Sequence, residues 1–178
     1  MLFRSAGTEN VAGIIGMGQA AEITLNRLAE DSPRIKILRD RLENLLLEAC
    51  PDSRVNGDRQ TRLPNTLNMS FRYLEGESIL VLLDQQGICA STGSACTAGS
   101  AEPSHVLRAM GVPPDWLQGA VRFSLGRFNT DEEVLYVNEK VPTIVKRLQA
   151  LSALGRLGRE QRPQPDRGAA TGSVAVRE

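Results

Sequence analysis

One cysteine stands where a thiol could react. In "STGSACTAGSA", residues 91–101, Cys96 is surrounded by Ser, Thr, Gly and Ala, with almost no side chain able to anchor the segment in a core. That composition predicts a mobile loop whose N–H groups and hydroxyls can hydrogen-bond a thiolate or a persulfide. A free thiol has a pKa of about 8.5, so roughly a few per cent is ionised at neutral pH. On composition alone two readings stay open: a travelling nucleophile, or a small apolar residue in a loop.

Other residues offer binding rather than bond-making. Arg122, in "VRFS", falls between Val121 and Phe123 on an expected strand. A guanidinium there either faces solvent at an edge or grips a carboxylate bidentately, and with no other information the solvated edge is the favoured reading. Gly7 and Thr8 in "AGTEN" precede a helix, where a small residue and a hydroxyl can take a phosphate oxygen or simply cap the helix. Cys50 and Cys89 read as packed thiols. There is no CxxC pair and His105 is the only histidine, so the residues alone support no private metal site.

The elements that must position these groups follow from periodicity. Val11, Ile14, Ile15, Leu25 and Leu28 mark a helix to about Ala29, capped by Thr8 or Asn10, and "DSPR" at 31–34 is expected to break it. Ile35, Leu38, Leu42, Leu45 and Leu46 mark a second helix ending near Pro51. "PDSRVNGDRQTRLPN" reads as turns, "TLNMSF" as a strand, and "EGESILVLLDQQG" as a helix stopped by Gly87. "ICAST" is a short strand leading into the Cys96 loop. A helix is expected from near Pro103 to Gly111, a strand in "AVRFSLGRF", and a last helix over 130–151 that Pro142 kinks or breaks. Residues 155–178, rich in Arg, Gly, Gln and Pro, read as a disordered tail.

The sum is an α+β chain: helices packed on a short, mainly antiparallel sheet. Its 178 residues, 41% of them hydrophobic, suit one well-buried domain. Twenty-one basic residues balance twenty-one acidic ones, which argues for neither nucleic acid nor an anionic membrane as partner. The three cysteines, an odd number, suit reduced thiols in the cytoplasm. The densest apolar run, "ILVLL", is too short to span a bilayer, and Glu9 with Asn10 interrupts the one stretch resembling a signal peptide.

Four segments in order, "AGTENVAGIIGMGQA", "RLPNTLNMSF", "GICASTGSACTAGSAEPSHVLRAMG" and "AVRFSLGRFNT", resemble the C-terminal part of NifS/IscS-type cysteine desulfurases of the class V aminotransferase family, which use pyridoxal 5'-phosphate. The likeness covers about residues 4–151. It implies a fold type I small domain with its long interdomain helix: residues 1–30 as that helix, 31–154 as the small domain, and 155–178 outside the likeness. It also implies that Cys96 accepts sulfur from L-cysteine as a persulfide, leaving L-alanine, and that Arg122 holds the substrate carboxylate. Gly7 and Thr8 would approach the cofactor phosphate of the neighbouring subunit in a homodimer. The persulfide would pass to an iron-sulfur scaffold protein, with Cys96 as a possible shared cluster ligand.

The likeness also marks a gap. The family's cofactor lysine, with its Ser-x-His-Lys context, lies upstream of "GTEN", whereas the only lysines here are Lys36, Lys140 and Lys146, all later. These residues alone are therefore expected not to run the reaction, since the cofactor supplies the electron sink. A non-catalytic dimerisation or scaffold-binding module derived from a desulfurase is the alternative. Without a partner, Ile14 and Ile15 should be exposed and promote self-association.

Overall fold

The structure, a computed structural model, describes residues 7–92 and 103–160, with side chains described to residue 152. Helix α1 runs from Val11 to Ala49, strand β1 from Ser53 to Val55 and β2 from Thr66 to Phe71. Helix α2 (Gly76–Asp84), short helices α3 (His105–Ala109) and α4 (Pro114–Leu117), strand β3 (Ala120–Ser124) and helix α5 (Asp131–Glu160) complete the order.

The strands form one antiparallel sheet in the order β1-β2-β3. Alternation divides its two faces. Leu67, Met69 and Phe71 of β2 meet Val121 and Phe123 of β3, all buried. They pack beneath Leu38, Leu42 and Leu46 of α1, Ile79 and Leu83 of α2, and Val134, Val141, Ile144 and Val145 of α5. A smaller cluster, Leu107, Val112, Leu117 and Ala120, seats α3 and α4. Arg54 and Arg72 lie over the Trp116 ring at 6.0 and 5.7 Å, tying α4 to β1 and to the end of β2.

Turn chemistry matches the sequence at several joints. Gly87 (φ +71°) ends the α2 segment, and Ile88 N–H donates to Leu83 C=O at 3.0 Å, the six-to-one bond of a left-handed helix stop. Gly111 (φ +72°) does the same after α3, with Val112 N–H donating to Leu107 C=O. Thr130 and Glu133 form a reciprocal capping box at the start of α5: Glu133 N–H donates to Thr130 Oγ1 and Thr130 N–H to Glu133 Oε2. Asn10, the second of the two expected caps, accepts from Gly13 N–H at α1.

The break expected at 31–34 does not occur: α1 is one helix of 39 residues containing Pro33. A proline inside a helix costs about 3 kcal/mol. Contacts on both sides of it offset that cost. Arg27 pairs with Asp31 at 3.2 Å across the preceding turn, and Arg34 donates to the carbonyls of Asn129 and Arg127. Beyond it, Leu38, Leu42 and Leu46 each bury a side chain worth about 1.5 to 3 kcal/mol. Before it the helix packs on little, and Ile14 and Ile15 are exposed as expected.

Other expectations shift. Pro142 leaves α5 unbroken, and α5 runs to Glu160 instead of ending near 151, so the first residues of the expected tail are helical; the remainder lies outside the described residues. "ICAST" contributes only a bridge, Ser91 to Arg122. Helix α3 starts at His105, two residues after Pro103. Strand β1 emerges from the segment read as turns, because Val55 packs on the core and Arg54 pairs with Ser70. No described helix is long and apolar enough to cross a membrane.

Candidate functional site

The sheet face turned away from the core is polar. Across it runs a row of four facing positions: Asn56 just past β1, Asn68 on β2, Arg122 on β3, and Ser91 on the segment beside β3. Asn56 N–H donates to Asn68 C=O at 2.9 Å. Arg122 and Ser91 exchange both backbone hydrogen bonds, at 2.5 and 3.1 Å. Between β2 and β3 the bonding pairs are Phe71 with Gly119 and Asn65 with Leu125. Counting inward by two from these makes Asn68 and Arg122 a non-hydrogen-bonded pair, the arrangement in which opposed side chains lie closest.

Side chains extend the row. Asn56 is buried, and its Nδ2 donates to Asn68 Oδ1 at 2.7 Å and to Ser70 Oγ at 2.8 Å. Among the described residues three arginines, Arg62, Arg72 and Arg122, have a buried Nε without a hydrogen-bond partner, and Arg122 differs in having no acid beside its guanidinium: Arg62 pairs with Glu43 and Arg72 with Asp115. A buried donor left without an acceptor costs about 1 to 3 kcal/mol, so native proteins rarely keep one. What Arg122 lacks among the described residues is an acceptor, and a guanidinium fork is shaped for a planar anion such as a carboxylate.

Two glycines let the backbone close around this face. A Cβ on Gly119 would lie 1.9 Å from the Phe71 carbonyl oxygen, so only glycine brings β3 onto the end of β2. A Cβ on Gly76 would lie 2.7 Å from the Ala120 carbonyl oxygen and 3.0 Å from Thr92 Cγ2, which seats the start of α2 against β3 and the Ser91–Thr92 segment.

The other expected site residues are placed as follows. Cys96 lies outside the described residues, on the segment that begins just after Thr92. Gly7 and Thr8 are exposed ahead of α1. They are not brought beside Arg122 within one chain: Leu38, the first buried core residue of α1, is about 40 Å of helical rise from Val11. His105 is exposed at the start of α3. Cys50 is a packed thiol as expected, and burial pushes its pKa up to about 11. Cys89, also expected to be packed, is exposed: after the turn at Gly87, Ile88 takes the buried position and the next side chain faces out. No cluster of His, Cys, Asp and Glu suited to a metal exists among the described residues.

Sequence reasoning missed Asn56, Asn68 and Ser70. The alternation that identified "TLNMSF" as a strand already set Thr66, Asn68 and Ser70 on one face, and the register puts Arg122 on that same face.

Comparison with known proteins agrees with this architecture. The sequence profile of the aminotransferase class-V family matches residues 2–137. A cysteine desulfurase of Nostoc sp. is 56% identical over 149 residues, covering 84% of this chain and 37% of the relative. The cysteine desulfurase NifS of Azotobacter vinelandii is 52% identical over 149 residues with the same coverage. Among solved structures, a NifS-like protein aligns with TM-score 0.69 at 36% identity, over 80% of this chain and 35% of that one. A NifS-like protein from Rickettsia africae aligns with TM-score 0.69 at 30% identity, over 79% of this chain and 36% of its own. The chain thus spans a little over a third of the length of these relatives, 37% for the curated ones. By profile, by relatives and by fold, it belongs to the aminotransferase class-V family.

Proposed function

We propose that these residues are the part of a cysteine desulfurase that clamps the carboxylate of L-cysteine and carries away its sulfur. Arg122 is the clamp and Cys96 the acceptor, which takes the substrate sulfur as a persulfide and leaves L-alanine. The observation that carries this reading is the guanidinium of Arg122, unpartnered among the described residues and with a buried Nε, next to the start of the Cys96 segment. Ser91 pairs with Arg122, and the covalent chain keeps Cys96 Cα within about 18 Å of Ser91 Cα. A clamp fixed on a sheet and an acceptor a few residues along the chain suit a sulfur that must be collected at one place and delivered at another. The delivery is to an iron-sulfur scaffold protein, with Cys96 as the shared cluster ligand, and the setting is the cytoplasm.

Pyridoxal 5'-phosphate, the family's cofactor, does not find its covalent anchor in these residues. Lys36 is paired with Asp40 at 2.6 Å and Lys140 with Glu139 at 2.7 Å, Lys146 is exposed on α5, and none of the three lies on the polar sheet face. The cofactor lysine therefore has to come from polypeptide beyond this sequence. Residues 1–30 belong, in this reading, to the interdomain helix and 31–154 to the small domain, in line with the rise in burial along α1 after residue 30. Gly7 and Thr8 serve the cofactor phosphate of a neighbouring subunit in a homodimer. Asn10 caps α1 and leaves Thr8 free of that task.

The alternative, a non-catalytic dimerisation or scaffold-binding module, draws on the exposed apolar residues Val11, Ile14, Ile15 and Leu25 of α1. The two are separated by mixing the chain with L-cysteine and pyridoxal phosphate, with and without the cofactor-bearing portion of a NifS-type desulfurase, and measuring alanine. Alanine should form only in the mixture and be abolished by Cys96→Ser and by Arg122→Met. Alanine made by the chain alone, or unaffected by either variant, contradicts the proposal.

A further inference from the structure

We propose that Asn68 is the second half of the carboxylate clamp, and that Asn56 and Ser70 are positioning residues that hold its amide with the N–H groups facing Arg122. The proposal rests on the reading of Arg122 as the clamp and adds the neighbour that completes it. A primary amide is planar, with its oxygen and nitrogen on opposite sides. Asn68 Oδ1 is tied toward β1 by Asn56 Nδ2 at 2.7 Å, so Asn68 Nδ2 is turned toward β3. There the facing residue is Arg122, in the close, non-hydrogen-bonded pairing. Neither Asn68 Nδ2 nor the guanidinium has an acceptor among the described residues.

The anchor of this arrangement is buried and is held through one side of its amide, since Asn56 Oδ1 has no partner among the described residues. Asn56 is only 7% exposed, its backbone N–H is bonded to Asn68 C=O, and its Nδ2 is shared with Ser70 Oγ at 2.8 Å. Two neighbouring residues thus present N–H groups on the β3 side of the row, and the network's one acceptor unpartnered among the described residues, Asn56 Oδ1, belongs to the residue on the far side of Asn68 from Arg122. A carboxylate has two oxygens with about four lone-pair sites, enough for both forks of Arg122 and one N–H of Asn68. An amide at 68 also keeps the site at a single positive charge, matched to a single carboxylate. A carboxylate side chain there would neutralise Arg122 and repel the ligand.

The test is nitrogen-15 NMR of the side-chain signals of the full chain, titrated with L-alanine, the desulfurase product, and with L-alaninamide, which lacks the carboxylate. The Arg122 Nε–H and Asn68 Nδ2–H signals should move together with L-alanine and stay still with L-alaninamide. Asn68→Ala should weaken L-alanine binding about tenfold, the lower bound for a hydrogen bond to a charged group. The near-isosteric Asn68→Asp should abolish binding with the backbone spectrum preserved. Asn56→Ala should broaden the Asn68 amide signal and weaken binding less than Asn68→Ala. Movement of Arg122 without Asn68, or unchanged affinity in Asn68→Ala, overturns the role of Asn68 and leaves the Arg122 clamp standing. If neither signal moves, the clamp reading itself falls.

Discussion

Arg122→Met should make the chain more stable while removing its capacity to hold a carboxylate. In the folded chain Arg122 Nε is buried without an acceptor, a state that costs about 1 to 3 kcal/mol. Methionine keeps an unbranched stem of similar reach and removes the donor. The strand is not disturbed, because Arg122 bonds Ser91 through its backbone alone. Partial exposure of the residue lets the outer guanidinium keep its water, so the gain should lie near the lower end, about 1 kcal/mol. For a chain of this size that is a rise of roughly 2 to 4 °C in Tm. The assay is urea and thermal unfolding by circular dichroism, with Arg122→Lys as companion, since lysine places a methylene where Nε sits. Both variants should be stabilised. Destabilisation of Arg122→Met by more than about 1 kcal/mol would refute the reasoning, because the guanidinium would then be a structural group and not one kept for a ligand.

Gly119→Ala should cost more than about 3 kcal/mol, the upper end of ordinary overpacking, because its Cβ would meet the Phe71 carbonyl oxygen at 1.9 Å. Gly126→Ala, whose Cβ would find its nearest neighbour at 4.0 Å, should be tolerated in the same urea melts. Iodoacetamide should label exposed Cys89 in the native chain and buried Cys50 only on unfolding, which peptide mass mapping reads directly. Burial holds the Cys50 pKa up at about 11, above its unfolded value. The folded state therefore keeps its proton longer, and that contribution to stability is full below about pH 8.5 and lost as pH rises toward 11. At the acid end, burial alone would raise the Asp40 pKa, but hydrogen bonds from Lys36 and Arg39 more than offset it and hold it below the usual value. A lowered folded pKa means stability present above about pH 4 and lost as pH falls further, so Asp40→Asn should flatten the acid limb of a stability-against-pH curve.

The sequence carried the core and its turns because those depend on local pattern. "TLNMSF" and "AVRFS" alternate, Leu38, Leu42 and Leu46 share a helical face, and Gly87 and Gly111 stop helices where only positive φ fits. Long-range packing decided the rest. Pro33 and Pro142 argue locally for breaks, and neither break forms: Arg34 reaches residues 127 and 129, while Val141, Ile144 and Val145 of α5 pack in the core. Strand β1 has almost no pattern in three residues and exists because β2 offers an edge. The site was half legible. Arg122 could be named from its place in "VRFS", but a solvated edge was the simpler reading, and only the register shows it facing Asn68 with its Nε sealed off. Asn56 lies in none of the four segments that carry the resemblance, and Asn68 lies in one without any role of its own marked by it. Their pairing spans twelve residues and appears only once β1 and β2 meet.

The central claim is that sulfur from L-cysteine arrives at Cys96 by way of a cofactor that other polypeptide holds. It is tested most directly by supplying radiolabelled L-cysteine, pyridoxal phosphate and the cofactor-bearing portion of a NifS-type desulfurase, then mapping the label on the peptides of this chain. The label should sit on the peptide of Cys96, be released by a thiol reductant, and be absent when the cofactor-bearing portion is left out. Label on Cys89 alone, or alanine formed with no label on Cys96, would contradict the account.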